Sequence, residues 1–345
     1  RPEADPRGLD HLFTFFSLSS QRTAFKGVQA LEPGHYLRIE LPQGRETATP
    51  VERKYWDFDF PDWGQELDGD VGHLTESFQT VFDRAVDVRL RADVPVVGYL
   101  SGGVDSAFVM ATAARVAGRP LPSFTLRIPR DNLDEVDEAM EAAEAIGAHP
   151  TVVAAGSDLI MGSYEALTRA AESPVLDTSC AALLALSREV RSQGYKVVLT
   201  GEGADEGFAG YVWFKMREIA RVMDIGDSFT TSTVLSRVVR RLGARQSLER
   251  LKEIDALIGG PHAQSVMYSL VSTSRDRYYS EGFREELGGH LAYEDLDLDL
   301  ERMARWHPLN RSLYLGYKVH LAGLLLTQKG DRIAMANSVE TRYPF

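Results

Sequence analysis

Cysteine is all but missing from this chain. Cys180 is the single one among 345 residues, which excludes a disulfide framework and any zinc site built on cysteine, and fits a reducing cytoplasm. The eight histidines are scattered, with no pair at metal-ligand spacing. Positive charge is also short: 38 Lys and Arg face 50 Asp and Glu, a formal charge of −12 that argues against a nucleic-acid surface. No apolar run approaches the length of a membrane span, and the first residues do not read as a signal peptide. The expectation is a soluble cytoplasmic protein with neither a membrane nor a nucleic-acid partner. Apolar content is not lacking; at 44% it supports one large domain plus a smaller one.

The chain is organised around Val94 to Ser106 (VPVVGYLSGGVDS). Val94, Val96, Val97, Tyr99 and Leu100 have the length and β-branched content of a buried parallel strand. The strand runs into Ser101-Gly102-Gly103-Val104-Asp105-Ser106, and the Ala- and Val-rich segment Ala107 to Ala117 then predicts a helix that Gly118 stops. Strand, glycine turn and helix N-terminus together make an anion cradle, because glycine lets backbone N–H groups approach phosphate and the helix dipole adds positive potential. Ser101 and Ser106 add hydroxyl donors. Asp105 would repel a phosphate unless it held a Mg²⁺ that bridges to it. The loop has neither the Gly-Lys-Ser/Thr of a Walker A motif nor GxGxxG spacing. It is similar to the SGGxDS loop of the ATP pyrophosphatases, which cleave ATP between the α- and β-phosphates. An ordinary Ser-Gly turn ahead of a buried helix is the plain alternative.

Residues 1–60 predict a helix over Leu9 to Ser17, a strand over Tyr36 to Leu41, and a hairpin through Pro42-Gln43-Gly44 back toward Val51. Two strands and a helix cannot form an independent core, so this piece should dock on something larger. Residues 61–73 are polar and turn-rich and read as a linker. Residues 74–345 then read as one domain. Leu74, Phe78, Val81, Phe82, Ala85 and Leu90 predict an amphipathic helix. Strands at Ser123 to Ile128, His149 to Val153 and Tyr195 to Thr200 alternate with helices over Ala139 to Ile146, Leu159 to Ala171 and Ala181 to Gln193, with a polar loop at Pro129 to Asn132. That order predicts an α/β, doubly wound parallel sheet with ligands at the carboxyl ends of its strands, a helical C-terminal part, and a small α+β N-terminal piece.

The last of these strands ends in Thr200-Gly201-Glu202-Gly203-Ala204-Asp205-Glu206. An acidic turn capping the next helix is one reading. Beside the first loop, a shared Mg²⁺ held by Asp105 and Asp205 is the better one. Arg237, Arg240, Arg241 and Arg245 read as a solvated helix face rather than a nucleic-acid patch. Asp295 to Glu301 alternates like a short strand, lacks the glycine of a calcium loop, and reads as a surface segment. Asp331, Arg332, Glu340 and Arg342 alternate with apolar positions, which fits a structural ion-pair network as well as an acceptor site.

YLSGGVDS (99–106), VVLTGEGADEGFAGY (197–211) and DRIAMANSVETRYPF (331–345) together resemble the glutamine-hydrolysing asparagine synthetase family. TAFKGVQALEPGHYL (23–37) and the Tyr55-Trp56 pair look like the last part of that family's N-terminal (Ntn) glutaminase domain. The resemblance implies that Ser101, Gly102, Gly103, Asp105 and Ser106 bind the pyrophosphate part of ATP. Backbone groups near Leu100, Leu126, Thr200 and Gly201 would hold the adenosine, and Asp105 and Asp205 would ligate Mg²⁺. It further implies that an acceptor carboxylate, aspartate by default, is adenylated and that ammonia from glutamine displaces AMP, with Glu202 taking a proton from the incoming nitrogen. A homodimer is also implied.

Four departures stand out. Residue 1 is Arg where the family has its cysteine nucleophile, and Cys180 lies in a helical stretch, so either most of the glutaminase domain is not in this sequence or free ammonia is used. The family's lysine loop lies beyond Phe345, and Lys329 does not occupy that motif. Ser173-Pro174-Val175-Leu176-Asp177-Thr178-Ser179 stands where the best-known bacterial members carry an acceptor-binding Thr-Thr-Ile-Arg, which leaves the acceptor open. Gly207 and Ala209 replace a bulkier residue and a glycine, a change expected to be tolerated. An amidotransferase acting on another biosynthetic acid, a β-lactam synthetase-like cyclase and a non-catalytic nucleotide-binding module are the rival readings. The negative charge disfavours a tRNA-modifying relative.

Overall fold

The computed structural model describes residues 2–41, 48–129, 134–222, 252–263, 268, 275 and 278–345. The four arginines at 237, 240, 241 and 245, the turn at 42–44 and most of the 129–132 loop lie outside the described residues. Two compact units form, Arg1–Glu66 with Tyr211–Gly323 and Leu67–Gly210 with Leu324–Phe345. The division differs from the sequence-based boundaries in that Tyr211–Gly323 groups with the N-terminal piece.

In the first unit, helix α1 spans Pro6–Phe15, with Asp5 accepting a hydrogen bond from the Arg7 N–H and proline at the first turn. Its apolar stripe has somewhere to go. Phe15 is fully buried against Tyr268 and Tyr293, with edge-on ring centroids at 5.7 and 4.8 Å, among Ile254, Ile258, Leu291 and Leu315. The hairpin forms as expected: β1 (His35–Ile39) runs antiparallel to β2 (Pro50–Lys54), with Leu37 opposite Glu52.

The segment from Asp295 is not strand-like. Ala292–Asp295 is a 3-10 turn and Leu300–Met303 a turn of α-helix. Nor is Asp295 merely a surface residue. Its carboxylate takes hydrogen bonds from Arg22 Nε and Nη2 at 2.8 and 2.7 Å and lies 2.9 Å from His11 Nε2. Burial alone would raise its pKa, but the bonds from His11 and Arg22 outweigh it and hold the carboxyl well below the usual range. The alternating pattern hid a residue turned inward to tie the segment to α1 and its neighbours.

The second unit is built on a five-stranded sheet in the order β5-β4-β3-β6-β7, every neighbouring pair parallel. The strands are β3 (Val96–Tyr99), β4 (Ser123–Arg127), β5 (Pro150–Ala154), β6 (Val197–Leu199) and β7 (Glu340–Arg342). The first four were legible as apolar runs; β7 was not, and forms because Leu199 pairs with Arg342 at the sheet's edge. The helices are α2 (Val71–Leu90), α3 (Val104–Ala117), α4 (Val136–Ile146), α5 (Ser157–Ala171) and α6 (Ser179–Ser192).

Strand side chains alternate between the two faces and separate two cores. Leu199 packs with Phe82 and Val86 of α2, Val109 and Met110 of α3, and Ala139 of α4. Val97 and Val198 pack with Leu186 and Val190 of α6. Helices therefore cover both faces, the doubly wound arrangement that continuous apolar strands require. Cys180 of α6 is fully buried, and burial pushes its thiol up to about 12, in keeping with a structural role. Among the described residues no helix is long and apolar enough to cross a membrane.

Candidate active site

β3 and β6 are adjacent and parallel, with Val96 beside Val197, so the loops that follow them leave the sheet side by side at its carboxyl edge. Ser106 organises the first loop. Its buried hydroxyl oxygen accepts from the Ser101 N–H at 3.0 Å, sits 2.9 Å from Ser101 Oγ, and lies 3.1 Å from the Gly103 carbonyl. Ser101 Oγ in turn accepts from the Gly103 N–H at 3.2 Å. These bonds fix the turn that ends at Gly103, the cap of α3, where first-turn N–H groups have no intrahelical acceptor. Gly102 has to be small: a Cβ there would lie 2.7 Å from Glu138 Cβ.

Gly201 joins the two motifs. A Cβ on it would lie 2.8 Å from the Ser106 N, 3.0 Å from the Asp105 C and 3.1 Å from Ser106 Cα, all rigid backbone. Gly201→Ala should therefore push the loops apart, costing about 1–3 kcal/mol of stability. It should also lower nucleotide affinity, which thermal melts and a nucleotide titration of the variant would read together.

After Gly201 the chain reaches Glu202, then Gly203 at φ 101, then the short helix α7 (Ala204–Gly207) that carries Asp205. Asp105 and Asp205 feel each other. The Asp105 carboxyl is raised above its ordinary value first by burial and then by the Asp205 charge. Glu202 is raised as well, mainly by burial and further by Asp205 and Asp105, while Lys329 opposes the shift. Among the described residues no three His, Cys, Asp or Glu cluster as a metal site, so Asp105 and Asp205 are a pair rather than a closed cage. Ala209, where the resemblance calls for glycine, sits at φ 55, a conformation that costs an alanine about 1 kcal/mol. Gly210 cannot carry a side chain, since a Cβ would fall 1.8 Å from Asp205 Oδ1.

The adenosine-side positions lie along the same edge. The Leu100 N–H is committed to the Phe124 carbonyl at 2.9 Å and the Thr200 N–H to the Arg342 carbonyl at 3.1 Å. Leu126 is partly buried near the end of β4, paired with Val153. The four charged C-terminal candidates divide. Arg342 Nη1 donates to the carbonyls of Arg89 and Arg91 at 2.6 and 2.8 Å, capping the end of α2, and its Nε bonds Glu340 at 2.7 Å. Arg332 donates to the Ala171 carbonyl at 2.7 Å and lies 3.4 Å from Glu172, holding the end of α5. These three form structural contacts. Asp331 points elsewhere, accepting from Thr341 Oγ1 at 2.8 Å beside the Tyr343 hydroxyl.

Tyr343 lines a cavity of about 20 Å³, roughly one water, together with Tyr99, Thr200, Glu202, Lys329 and Thr341. The Tyr99 hydroxyl is buried with no hydrogen-bond partner among the described residues. Lys329 Nζ lies 3.7 Å from Asp177 Oδ2, and Asp177 also accepts from the Ser179 N–H at 2.9 Å, at the start of α6. Tyr99 and Tyr343 do not stand out in the sequence as site residues, and Lys329 does so only as a lysine outside the family's motif. Lys329 and Tyr343 are more than a hundred residues from Glu202 and reach it only through the fold.

Two glycine-and-carboxylate loops at adjacent strand ends of a parallel sheet define a doubly wound α/β protein with its candidate site at the carboxyl edge of the sheet. Residues 77–345, more than three quarters of the chain, match the family model described as asparagine synthase, and the chain belongs to that family. It is 32% identical to the Penicillium rubens protein named amidase chyE, over 94% of this chain and 51% of that one. It is 30% identical to a putative asparagine synthetase [glutamine-hydrolyzing] of Mycobacterium bovis, over 99% of this chain and 51% of that one. Asparagine synthetase [glutamine-hydrolyzing] 1 of Bacillus subtilis is 25% identical, over 99% and 52%. The chain thus spans about half the length of these curated relatives. An NH3-dependent NAD synthetase from Campylobacter jejuni overlaps loosely, at TM-score 0.30 and 14% identity over 61% of this chain and 96% of that one, and adds nothing to the fold.

Proposed function

We propose that this chain supplies the amide-forming half of an ATP-dependent amidotransferase: it adenylates a carboxylate and replaces AMP with ammonia. The contact of Gly201 with the backbone of Asp105 and Ser106 carries the reading, because it sets the phosphate cradle against the Glu202 loop. The cradle of Ser101, Gly102, Gly103 and Ser106 takes the departing pyrophosphate. An acceptor carboxylate oxygen attacks the α-phosphorus, the bond to the β-phosphate oxygen breaks, and pyrophosphate leaves. The acyl carbon now bears AMP, a good leaving group. Ammonia's nitrogen attacks that carbon, its proton goes to Glu202, and AMP departs with one former carboxylate oxygen. Glu202 suits the role because burial and neighbouring charge raise its proton affinity above that of an ordinary carboxylate. The protein's contribution is positioning and charge neutralisation.

Asp105 and Asp205 fit a Mg²⁺: they are hard oxygen donors close enough to repel each other, with too few protein ligands around them to exclude phosphate oxygens. When bound, the ion would neutralise phosphate charge. Glutamine is the proposed source of ammonia, the cytoplasm the proposed compartment and a homodimer the proposed assembly. Aspartate is the default acceptor. An acid other than aspartate has specific support: Ser173 to Ser179 stands where Thr-Thr-Ile-Arg is expected, and a relative named an amidase is as similar as those named asparagine synthetase.

The test is pyrophosphate release from Mg-ATP with ammonium chloride present, comparing L-aspartate with a panel of other carboxylic acids. Release that depends on one of these acids is expected. ATP turnover indifferent to every acid would refute the reading.

A further inference from the structure

Three negative side chains, Asp105, Glu202 and Asp205, share the electrostatic field into which a carboxylate acceptor would have to move. An anion does not enter such a field unaided. A dication held by Asp105 and Asp205 would offset part of that charge. The cavity beside Glu202 is lined by a single side-chain cation among the described residues, Lys329.

Lys329 is poised rather than spent. Its ammonium has three donors, yet its one ion pair among the described residues, to Asp177, is loose at 3.7 Å, and its side chain is only 20% exposed. Its charge reaches Glu202 strongly enough to oppose the upward shift that burial imposes there. The neighbouring donors are arranged to help. The Tyr99 hydroxyl is buried with no partner among the described residues, and Tyr343, whose hydroxyl is 2.6 Å from Thr341 Oγ1, lines the same cavity. Gly330 must stay bare for this, because a Cβ there would strike the Tyr343 oxygen at 1.9 Å. Asp177 is itself held at the start of α6, its Oδ1 accepting from the Ser179 N–H at 2.9 Å, while its Oδ2 faces the ammonium.

Resting on the amide-forming reading above, we propose that the Lys329 ammonium is the contact that binds the acceptor's carboxylate, handed over from Asp177 as the acid enters. The Asp177–Lys329 pair then acts as an entry gate. An acid that competes with Asp177 for the ammonium is admitted, and an uncharged analogue such as an ester or amide is not.

The experiment is initial-rate pyrophosphate release with Mg-ATP and ammonium chloride, varying ATP and then the acceptor. The acceptors are L-aspartate, L-glutamate, malonate and benzoate. Wild type is compared with Lys329→Met, Lys329→Gln, Lys329→Arg and Asp177→Asn, each checked for folding by thermal melt. The expected result is an acceptor KM raised about 10- to 100-fold in Lys329→Met and Lys329→Gln, the worth of a charge-assisted hydrogen bond. ATP KM should stay unchanged and Lys329→Arg should recover part of the loss. Asp177→Asn should lower the acceptor KM, since the ammonium loses its competitor. If the ion pair were only a structural tie, Asp177→Asn would raise the acceptor KM as Lys329→Met does, and that result overturns the proposal. So does an acceptor KM in Lys329→Met and Lys329→Gln close to wild type. In both cases wild-type turnover still stands, and with it the amide-forming reading. If wild type itself turns over with no acid, that reading falls and this inference falls with it.

Discussion

Asp105→Ala should reduce pyrophosphate release about 1,000-fold or more, because the loss of several kcal/mol of charge stabilisation is spread over both the metal and the phosphates it would carry. The fold should not suffer. Asp105 is partly buried, and its carboxyl is raised by burial and by Asp205. A carboxyl raised in the folded state opposes folding at every pH above that raised value, so in metal-free protein its removal relieves repulsion. A melting temperature equal to or above wild type, together with near-complete loss of turnover, is the expected pairing. A variant that loses activity only because it melts earlier would remove Asp105 from the reaction. Retained activity would do the same.

Glu202→Gln should separate the two halves of the reaction. The amide cannot accept a proton from the attacking nitrogen, so amide formation should fall about 100- to 10,000-fold, the usual worth of a positioned general base. Adenylation does not need that proton transfer, and exchange of labelled pyrophosphate into ATP should persist. Removing a negative charge from beside the Asp105–Asp205 pair should, if anything, ease binding of both anions. Equal loss of exchange and amide formation would place Glu202 in the nucleotide site instead.

Four of the sheet's five strands could be read from the sequence because each is a short apolar run ended by turn residues, a local signal that parallel pairing turns into β3 through β6. β7 carried no such signal. Glu340-Thr341-Arg342 alternates charge, and only its pairing with Val197 to Leu199 makes it a strand. Its arginine, one of the acceptor candidates, is taken up in capping α2, as Arg332 is at the end of α5. The two loops were legible as motifs because glycine and carboxylate spacing is set by backbone geometry within each loop. That Gly201 touches Ser106 is a matter of strand order, which spacing alone does not encode. Lys329 shows the same limit. It follows an apolar stretch with nothing local to mark it, and its meaning comes from Asp177 and Glu202, brought to it by α6 and β6. Asp295 failed in the opposite sense, since alternation with leucine looked like surface while His11 and Arg22 waited in another part of the chain.

The central claim is that an acceptor carboxylate oxygen attacks the α-phosphorus of ATP. Mass spectrometry of AMP formed with an acceptor labelled with ¹⁸O in its carboxylate tests it most directly. One ¹⁸O atom in the AMP phosphate and none in pyrophosphate is the expected result. AMP without label, or label in pyrophosphate, would contradict it.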